Sequence, residues 1–161
     1  ETDIVKGSLA AALPYFVFWS MPSQLHWLSG FELEMQAVIC GMLSVLGHMY
    51  PIFFGFKGGK GINTLLGMML VTNWVASLFC LGGWILILYV ERHVAIASIG
   101  AVFLYPLYLI GKSLIFSEPA NWALVAIGFG ITLLVTYAHR SNIARLLKGE
   151  EDKTTWFEGK L

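Results

Sequence analysis

Long apolar stretches broken by short polar clusters run through the chain. A helix crossing a bilayer needs about 20 mostly apolar residues, because each adds about 1.5 Å across a hydrocarbon core of about 30 Å. The stretch 8–28 is apolar and aromatic and is interrupted by Pro14 and Pro22. It predicts a kinked helix followed by an interfacial turn carrying Trp19, His26 and Trp27. The stretch 35–56 predicts a clear span, 94–111 a shorter one and 119–138 another. Between them, 62–90 carries no charge and is awkwardly long for one span and short for two. No repeat or low-complexity segment interrupts this pattern.

Charge decides how the long run is divided. Cytoplasmic loops carry an excess of Lys and Arg. Lys57 and Lys60 precede the run, Arg92 follows it, and Arg140, Arg145 and Lys148 follow the last span. The connection 20–34 holds no Lys or Arg. Two crossings put Lys60, Arg92 and Arg140 on one side and leave only Lys112 on the other. One crossing splits them. The run is therefore expected to form two short helices that turn near Thr72-Asn73-Trp74, with the tryptophan at the interface. The expected fold is an all-α polytopic membrane bundle with about six membrane helices. Residues 1–149 would form a single membrane domain and 150–161 a charged cytoplasmic tail, solvated over 150–153. Three polar loops, 57–61, 91–98 and 139–142, would meet on the cytoplasmic face.

Composition agrees with this pattern. Hydrophobic residues make up 57% and charged residues 12%, with a mean hydropathy of +0.72; soluble domains hold roughly 25% charged residues. The net charge of zero argues against a nucleic-acid partner. Cys40 and Cys80 each lie inside an apolar run, without disulfide or metal spacing, and read as small core residues. No zinc cluster or nucleophile elbow is visible, so neither metal nor cofactor is expected. The chain opens Glu1-Thr2-Asp3-Ile4, with neither an initiator Met nor a signal-peptide pattern, so a preceding segment is expected.

Candidate chemistry sits at the edges of the apolar runs. Gly58-Gly59-Lys60-Gly61 could be a flexible positive-inside turn. It could equally cradle an anion ahead of a helix starting near Ile62, whose N-terminus adds partial positive charge. It is not a Walker A loop, since Gly61 stands where Ser or Thr is needed. His139 and Asn142, three residues apart on a continuing helix, would share a face. The imidazole could act as a base or a phosphate donor. A basic stop-transfer flank would explain Arg140, Arg145 and Lys148 alone. His48 lies inside a span, where an ionisable residue is a candidate by default; a neutral imidazole bonded to a neighbouring helix is the favoured plainer reading. Ser98, taken alone, reads as a small packing residue. Gly41, Ser44 and Gly47 are expected to allow close helix packing and not to line a ligand site. Phe53, Phe54 and Phe56 suit the interface or an acyl chain.

Two of these segments carry a resemblance. Gly47-His48-Met49-Tyr50-Pro51 through Lys57-Gly58-Gly59-Lys60-Gly61 resembles the central motif of the membrane-integral glycerol-3-phosphate acyltransferases, the PlsY family. His139-Arg140-Ser141-Asn142-Ile143, with Arg145-Leu146-Leu147-Lys148-Gly149 and Glu151, is similar to the family's C-terminal signature. Asp3-Ile4-Val5-Lys6-Gly7 is similar to its D-x-x-K-G helix entry, and Ala97-Ser98-Ile99 also fits. The resemblance implies transfer of an acyl group from acyl-phosphate to the 1-hydroxyl of glycerol 3-phosphate, giving lysophosphatidate and phosphate at the start of bacterial phospholipid synthesis. It implies a seven-span plasma-membrane protein with a cytoplasmic active site and C-terminus, membrane lipids as surroundings, and the soluble enzyme that forms acyl-phosphate as a partner.

By the same resemblance, Gly58, Gly59 and Gly61 shape the glycerol-phosphate pocket and Lys60 binds phosphate. Ser98, His139 and Asn142 complete the polar site, and Arg140 adds charge. His48 and Glu151 are supporting residues. The family's further G-S-G-N-x-G-x-[TS]-N motif between its first two helices does not occur here, so the sequence is expected to be an incomplete record or a natural truncation. Asn63 stands where alanine is more usual. Two other readings compete: a small polytopic transporter of a phosphorylated solute, against which sparse intramembrane charge speaks, and an inactive truncated membrane fragment.

Overall fold

The computed structural model describes residues 2–17, 31–56 and 58–156, and these fold into helices joined by short turns. The order is α1 (Thr2–Phe16), α2 (Leu33–Met49), a 3-10 turn (Ile52–Phe54), α3 (Ile62–Thr72), α4 (Trp74–Glu91), α5 (Val94–Phe116), α6 (Trp122–Ala138) and α7 (Arg140–Leu147). No strand occurs among the described residues. Helices α1 to α6 are the apolar six; α7 is short and amphipathic. Among the described residues, three segments are long and apolar enough to cross a membrane alone: Leu33–Phe54, Trp74–Glu91 and Val94–Phe116. The bent pair α6–α7 makes a fourth if counted as one span. Side chains such as Leu78, Leu86, Leu114 and Leu133 are exposed along these helices, as lipid-facing residues are in a helical membrane protein.

Boundaries follow local chemistry. Helix α2 stops at Met49 because Pro51 lacks an N–H and disfavours helical geometry at Tyr50. The long apolar run breaks at Asn73, within the expected turn. Asn73 Oδ1 accepts from the Ala76 N–H at 3.0 Å and so caps α4. Of the two helices made from this run only α3, at 11 residues, is short; α4 has 18. Helix α5 runs to Phe116, past the expected end at Gly111, because Lys112 need not end a span. Its ammonium reaches Glu118 at 3.0 Å, and Ser113 Oγ donates to the Glu118 carbonyl at 2.6 Å. Helix α1 starts at Thr2, six residues before the apolar stretch. The interfacial turn with Trp19, Pro22, His26 and Trp27 lies outside the described residues, as does Lys57.

The chain groups into two compact units, Glu1–Ser77 and Leu78–Leu161. In the first, α1, α2 and α3 pack through small residues. A Cβ at Gly7 would collide with the carbonyl of Thr64, and one at Gly67 with the carbonyl of Ile4. Helices α1 and α3 therefore cross backbone to backbone, and Ser8 Oγ donates to the Gly67 carbonyl at 3.1 Å. Gly41 of α2 meets the Met68 side chain in the same way. Such contacts matter because lipid tails are as apolar as leucine, leaving close packing to hold helices together. Ala11, Ala37, Val45, Leu65 and Met68 are buried in this core.

In the second unit α5 packs on α6. Gly128 faces Tyr105 and Pro106, and the Phe103 and Phe129 rings lie 6.0 Å apart. Helix α4 meets α5 where Leu104 sits on Gly83 and Ile87 on Gly100. Cys40 and Cys80 are buried free thiols, one in each unit.

Candidate functional site

The first unit builds a cavity of about 600 Å³ from both ends of its helices. Lys6 of α1, Ser44, Gly47 and His48 of α2, Pro51 and Phe54 of the turn, and Gly58 and Gly59 of the loop line it. The loop reaches the helix end only because it carries glycine. A Cβ at Gly58 would strike the His48 carbonyl and Pro51, and one at Gly59 would strike the His48 ring. Gly61 has φ +79°, a left-handed conformation that L side chains rarely adopt, and turns the chain into α3. The helix thus starts at Ile62, where the sequence placed it. Lys60 is exposed beside this turn.

His48 is held from α1. Its Nδ1 lies 3.4 Å from Asp3 Oδ1, and Asp3 also accepts from Lys6 Nζ at 3.0 Å. Lys6 and His48 thereby form a polar part of the cavity lining, which also includes the apolar Pro51 and Phe54. The sequence reading left out Lys6 as a lining residue. The D-x-x-K spacing could have found it, since positions three apart share a helix face. The stripe Gly41, Ser44 and Gly47, expected to pack, divides. Gly41 packs against Met68, but Ser44 and Gly47 line the cavity, and a Cβ at Gly47 would meet nothing within 4 Å.

The second unit holds Ser98, His139, Arg140, Asn142 and Glu151. The helix expected to continue through His139 is bent by 61° between α6 and α7. His139 sits at the bend with φ −92° and ψ 9° and is 2% exposed. Its backbone N–H bonds to Val135 and Thr136, and the Ile143 N–H returns to its carbonyl at 2.9 Å, so His139 and Asn142 still lie within one turn. His139 Nδ1 lies 2.9 Å from the Val135 carbonyl. A carbonyl only accepts, so Nδ1 carries a proton in this contact.

Asn142 is buried and donates through Nδ2 to Glu151 Oε1 at 2.6 Å, while Arg145 Nε donates to Oε2 at 2.8 Å. Two donors on α7 thus draw the Glu151 carboxylate onto the helix. Arg140 is exposed, with its guanidinium 4.4 Å from the Tyr137 ring centre. Ser98, 3% exposed, accepts from Trp84 Nε1 at 3.3 Å. Sequence reasoning missed Trp84, which has no motif signal and is found only by packing. Among the described residues, no group of three or more His, Cys, Asp or Glu could hold a metal.

Residues 2–149 match the family model described as glycerol-3-phosphate acyltransferase. The glycerol-3-phosphate acyltransferase of Pelodictyon phaeoclathratiforme is 32% identical over 177 residues, covering 96% of this chain and 73% of the relative. That of Rhodospirillum rubrum is 37% identical over 155 residues, covering 94% of this chain and 64% of the relative. The crystal structure of PlsY, an integral membrane glycerol 3-phosphate acyltransferase, in its glycerol 3-phosphate form superposes with a TM-score of 0.72 at 34% identity, over 97% of this chain and 69% of that one. Its lysophosphatidic acid form gives 0.71 at 35% identity, over 94% and 68%. The match runs through both the glycine loop over His48 and the bent helix at His139, and on that extent the chain belongs to the glycerol-3-phosphate acyltransferase family of integral membrane proteins.

Proposed function

We propose that this protein transfers a fatty acyl group from acyl-phosphate to the 1-hydroxyl of glycerol 3-phosphate, releasing lysophosphatidate and phosphate. The observation that carries the proposal is the cavity where Gly58 and Gly59 fold against His48 beside Lys6. It is a glycine-lined pocket with the Lys6 ammonium in its wall, and close backbone approach at glycines suits a phosphate. The relatives named above, and the PlsY structure in its glycerol 3-phosphate form, support the same acceptor.

The chemistry asks little of the enzyme beyond placement and charge. Acyl-phosphate is a mixed anhydride. The glycerol 1-hydroxyl oxygen attacks its acyl carbon, an ester C–O bond forms, and the bond to the phosphate oxygen breaks with the electron pair leaving on phosphate. The hydroxyl proton passes to His139 or leaves with the phosphate. Positioning the two substrates supplies most of the rate. Lys60 and Arg140 would hold phosphate oxygens, the glycines Gly58, Gly59 and Gly61 would shape the acceptor pocket, and Ser98 and Asn142 would orient the reacting groups. His48 and Glu151 would act as supports. In this proposal residues 1–149 act as one catalytic domain in the bacterial inner membrane. The chemistry and the C-terminus lie at the cytoplasmic surface, where water-soluble glycerol 3-phosphate arrives and the soluble acyl-phosphate-forming enzyme can deliver the donor.

The test is turnover of the protein in lipid with acyl-phosphate and labelled glycerol 3-phosphate. Lysophosphatidate should form, and Lys60→Ala and His139→Ala should each lower kcat/KM by about a hundredfold, the scale of one lost charge-stabilising or acid–base group. Full activity in either variant removes that residue from the chemistry. Turnover with acyl-CoA but not acyl-phosphate refutes the donor. Phosphate-ester flux into proteoliposomes without acyl transfer would establish the transporter instead.

A further inference from the structure

We propose that Trp84, braced by Trp156, is a positioning residue that holds the Ser98 hydroxyl with its own proton turned toward substrate. The inference rests on the reading of Ser98 as a residue of the transfer site.

The geometry begins with two glycines. Leu104 of α5 lies on Gly83 and Ile87 of α4 lies on Gly100, so the two helices meet through side chains laid over glycines next to Trp84 and Ser98. The indole Nε1 then lies 3.3 Å from Ser98 Oγ. An indole N–H can only donate, whereas a hydroxyl both donates and accepts. The contact therefore occupies a lone pair of Ser98 and leaves its proton unspent. A serine fixed in this way is set to donate to an anionic or carbonyl oxygen. Ser98 is almost fully buried, so the orientation is not averaged by bulk water.

The tail completes the arrangement. Glu151 is held on α7 by Asn142 and Arg145, and the Thr154 N–H donates to the Arg92 carbonyl at 2.7 Å. Arg92 itself has φ +58° in the turn between α4 and α5. This path brings the Trp156 ring to 6.2 Å from that of Trp84, tilted by 55°, within the range of favourable aromatic pairs. Residues 151–156 thus form a strap from α7 to α4, and Trp156, largely exposed on its outer side, braces the indole that orients Ser98.

The experiment is a kinetic double-mutant cycle in lipid with Trp84→Phe, Ser98→Ala and both together. Trp84→Phe keeps an aromatic ring, though a smaller one, and removes the donor. It should lower kcat about three- to tenfold, the worth of one hydrogen bond, with KM for both substrates unchanged. The double variant should be no slower than Ser98→Ala alone, because coupled residues are not additive. Trp156→Ala should lower kcat in the same direction and Trp156→Phe should restore it. Wild-type kcat in Trp84→Phe alongside an impaired Ser98→Ala overturns the inference and leaves the proposed reaction standing. Additive losses overturn it as well. Wild-type kcat in Ser98→Ala removes Ser98 from the reaction and the inference with it. Should Trp84→Phe lose its thermal transition, the ¹⁵N-indole resonance of Trp84 decides: it should move in Ser98→Ala, and an unmoved resonance overturns the contact.

Discussion

Glu151 Oε1 accepts from Asn142 Nδ2 at 2.6 Å, across a gap of nine residues in the chain. The same carboxylate takes the Arg145 guanidinium at 2.8 Å, so one side chain fixes α7 to the tail. Glu151→Ala leaves Asn142 without this acceptor in a buried position. The expected cost is about 1–2 kcal/mol: the scale for a bond to a charged group is about 1.5–3, discounted because Arg145 is half exposed. Thermal unfolding in detergent should show a fall of a few degrees, and Glu151→Gln, which still accepts from Asn142, should recover part of it. An unchanged transition in Glu151→Ala would mean that the tail is not held by this contact.

The loop over His48 gives a second expectation. Gly58→Ala sets a methyl group against the backbone carbonyl of His48, which cannot turn aside, whereas Gly59→Ala meets only the imidazole. Overpacking of this kind costs about 1–3 kcal/mol. Gly58→Ala should therefore raise KM for glycerol 3-phosphate more than Gly59→Ala does. Adding His48→Ala should relieve the Gly59→Ala defect and not that of Gly58→Ala. Equal rescue of both would show that the loop does not fold as described.

Glycines separate into two sets that alanine scanning can distinguish. Gly7→Ala and Gly67→Ala drive a methyl group into the opposing backbone at the α1–α3 crossing and should each destabilise by about 1–3 kcal/mol. Gly130 of α6 has open space around its Cβ position, so Gly130→Ala should be neutral or stabilising by up to about 1 kcal/mol through helix propensity alone. Urea or heat unfolding of the three variants side by side measures the contrast. A destabilised Gly130→Ala variant would mean that this face of α6 is covered in the folded protein.

Asn73 tests how the long apolar run is divided. Its side chain caps α4, and Asn121 caps α6 by accepting from the Leu124 N–H at 3.2 Å. Alanine at either cap should cost about 1 kcal/mol. Glycine should cost only a few tenths at the same sites. Asn73→Ala with wild-type stability would be inconsistent with a helix beginning at Trp74.

Much of the architecture was written in hydrophobic periodicity and in where charges fall. The apolar stretches fixed the helices and the polar Asn73 marked where the uncharged run divides, because caps and burial act within a few residues of the chain; the stop of α2 before Pro51, inside the expected span 35–56, came from the structure. The motif spacing also marked Gly58–Gly61 and His139–Asn142 as chemistry-bearing, since both are local. Only tertiary structure decided which small residues pack and which line space. Gly41 and Gly47 look alike in sequence, yet one meets Met68 and the other borders the cavity. It alone joined Asp3 to His48, Trp84 to Ser98, and Glu151 to Asn142. Pairings between separate helices, or between a helix and the tail, depend on how backbones cross. That crossing is set by close packing at glycines, which no pattern along the chain encodes.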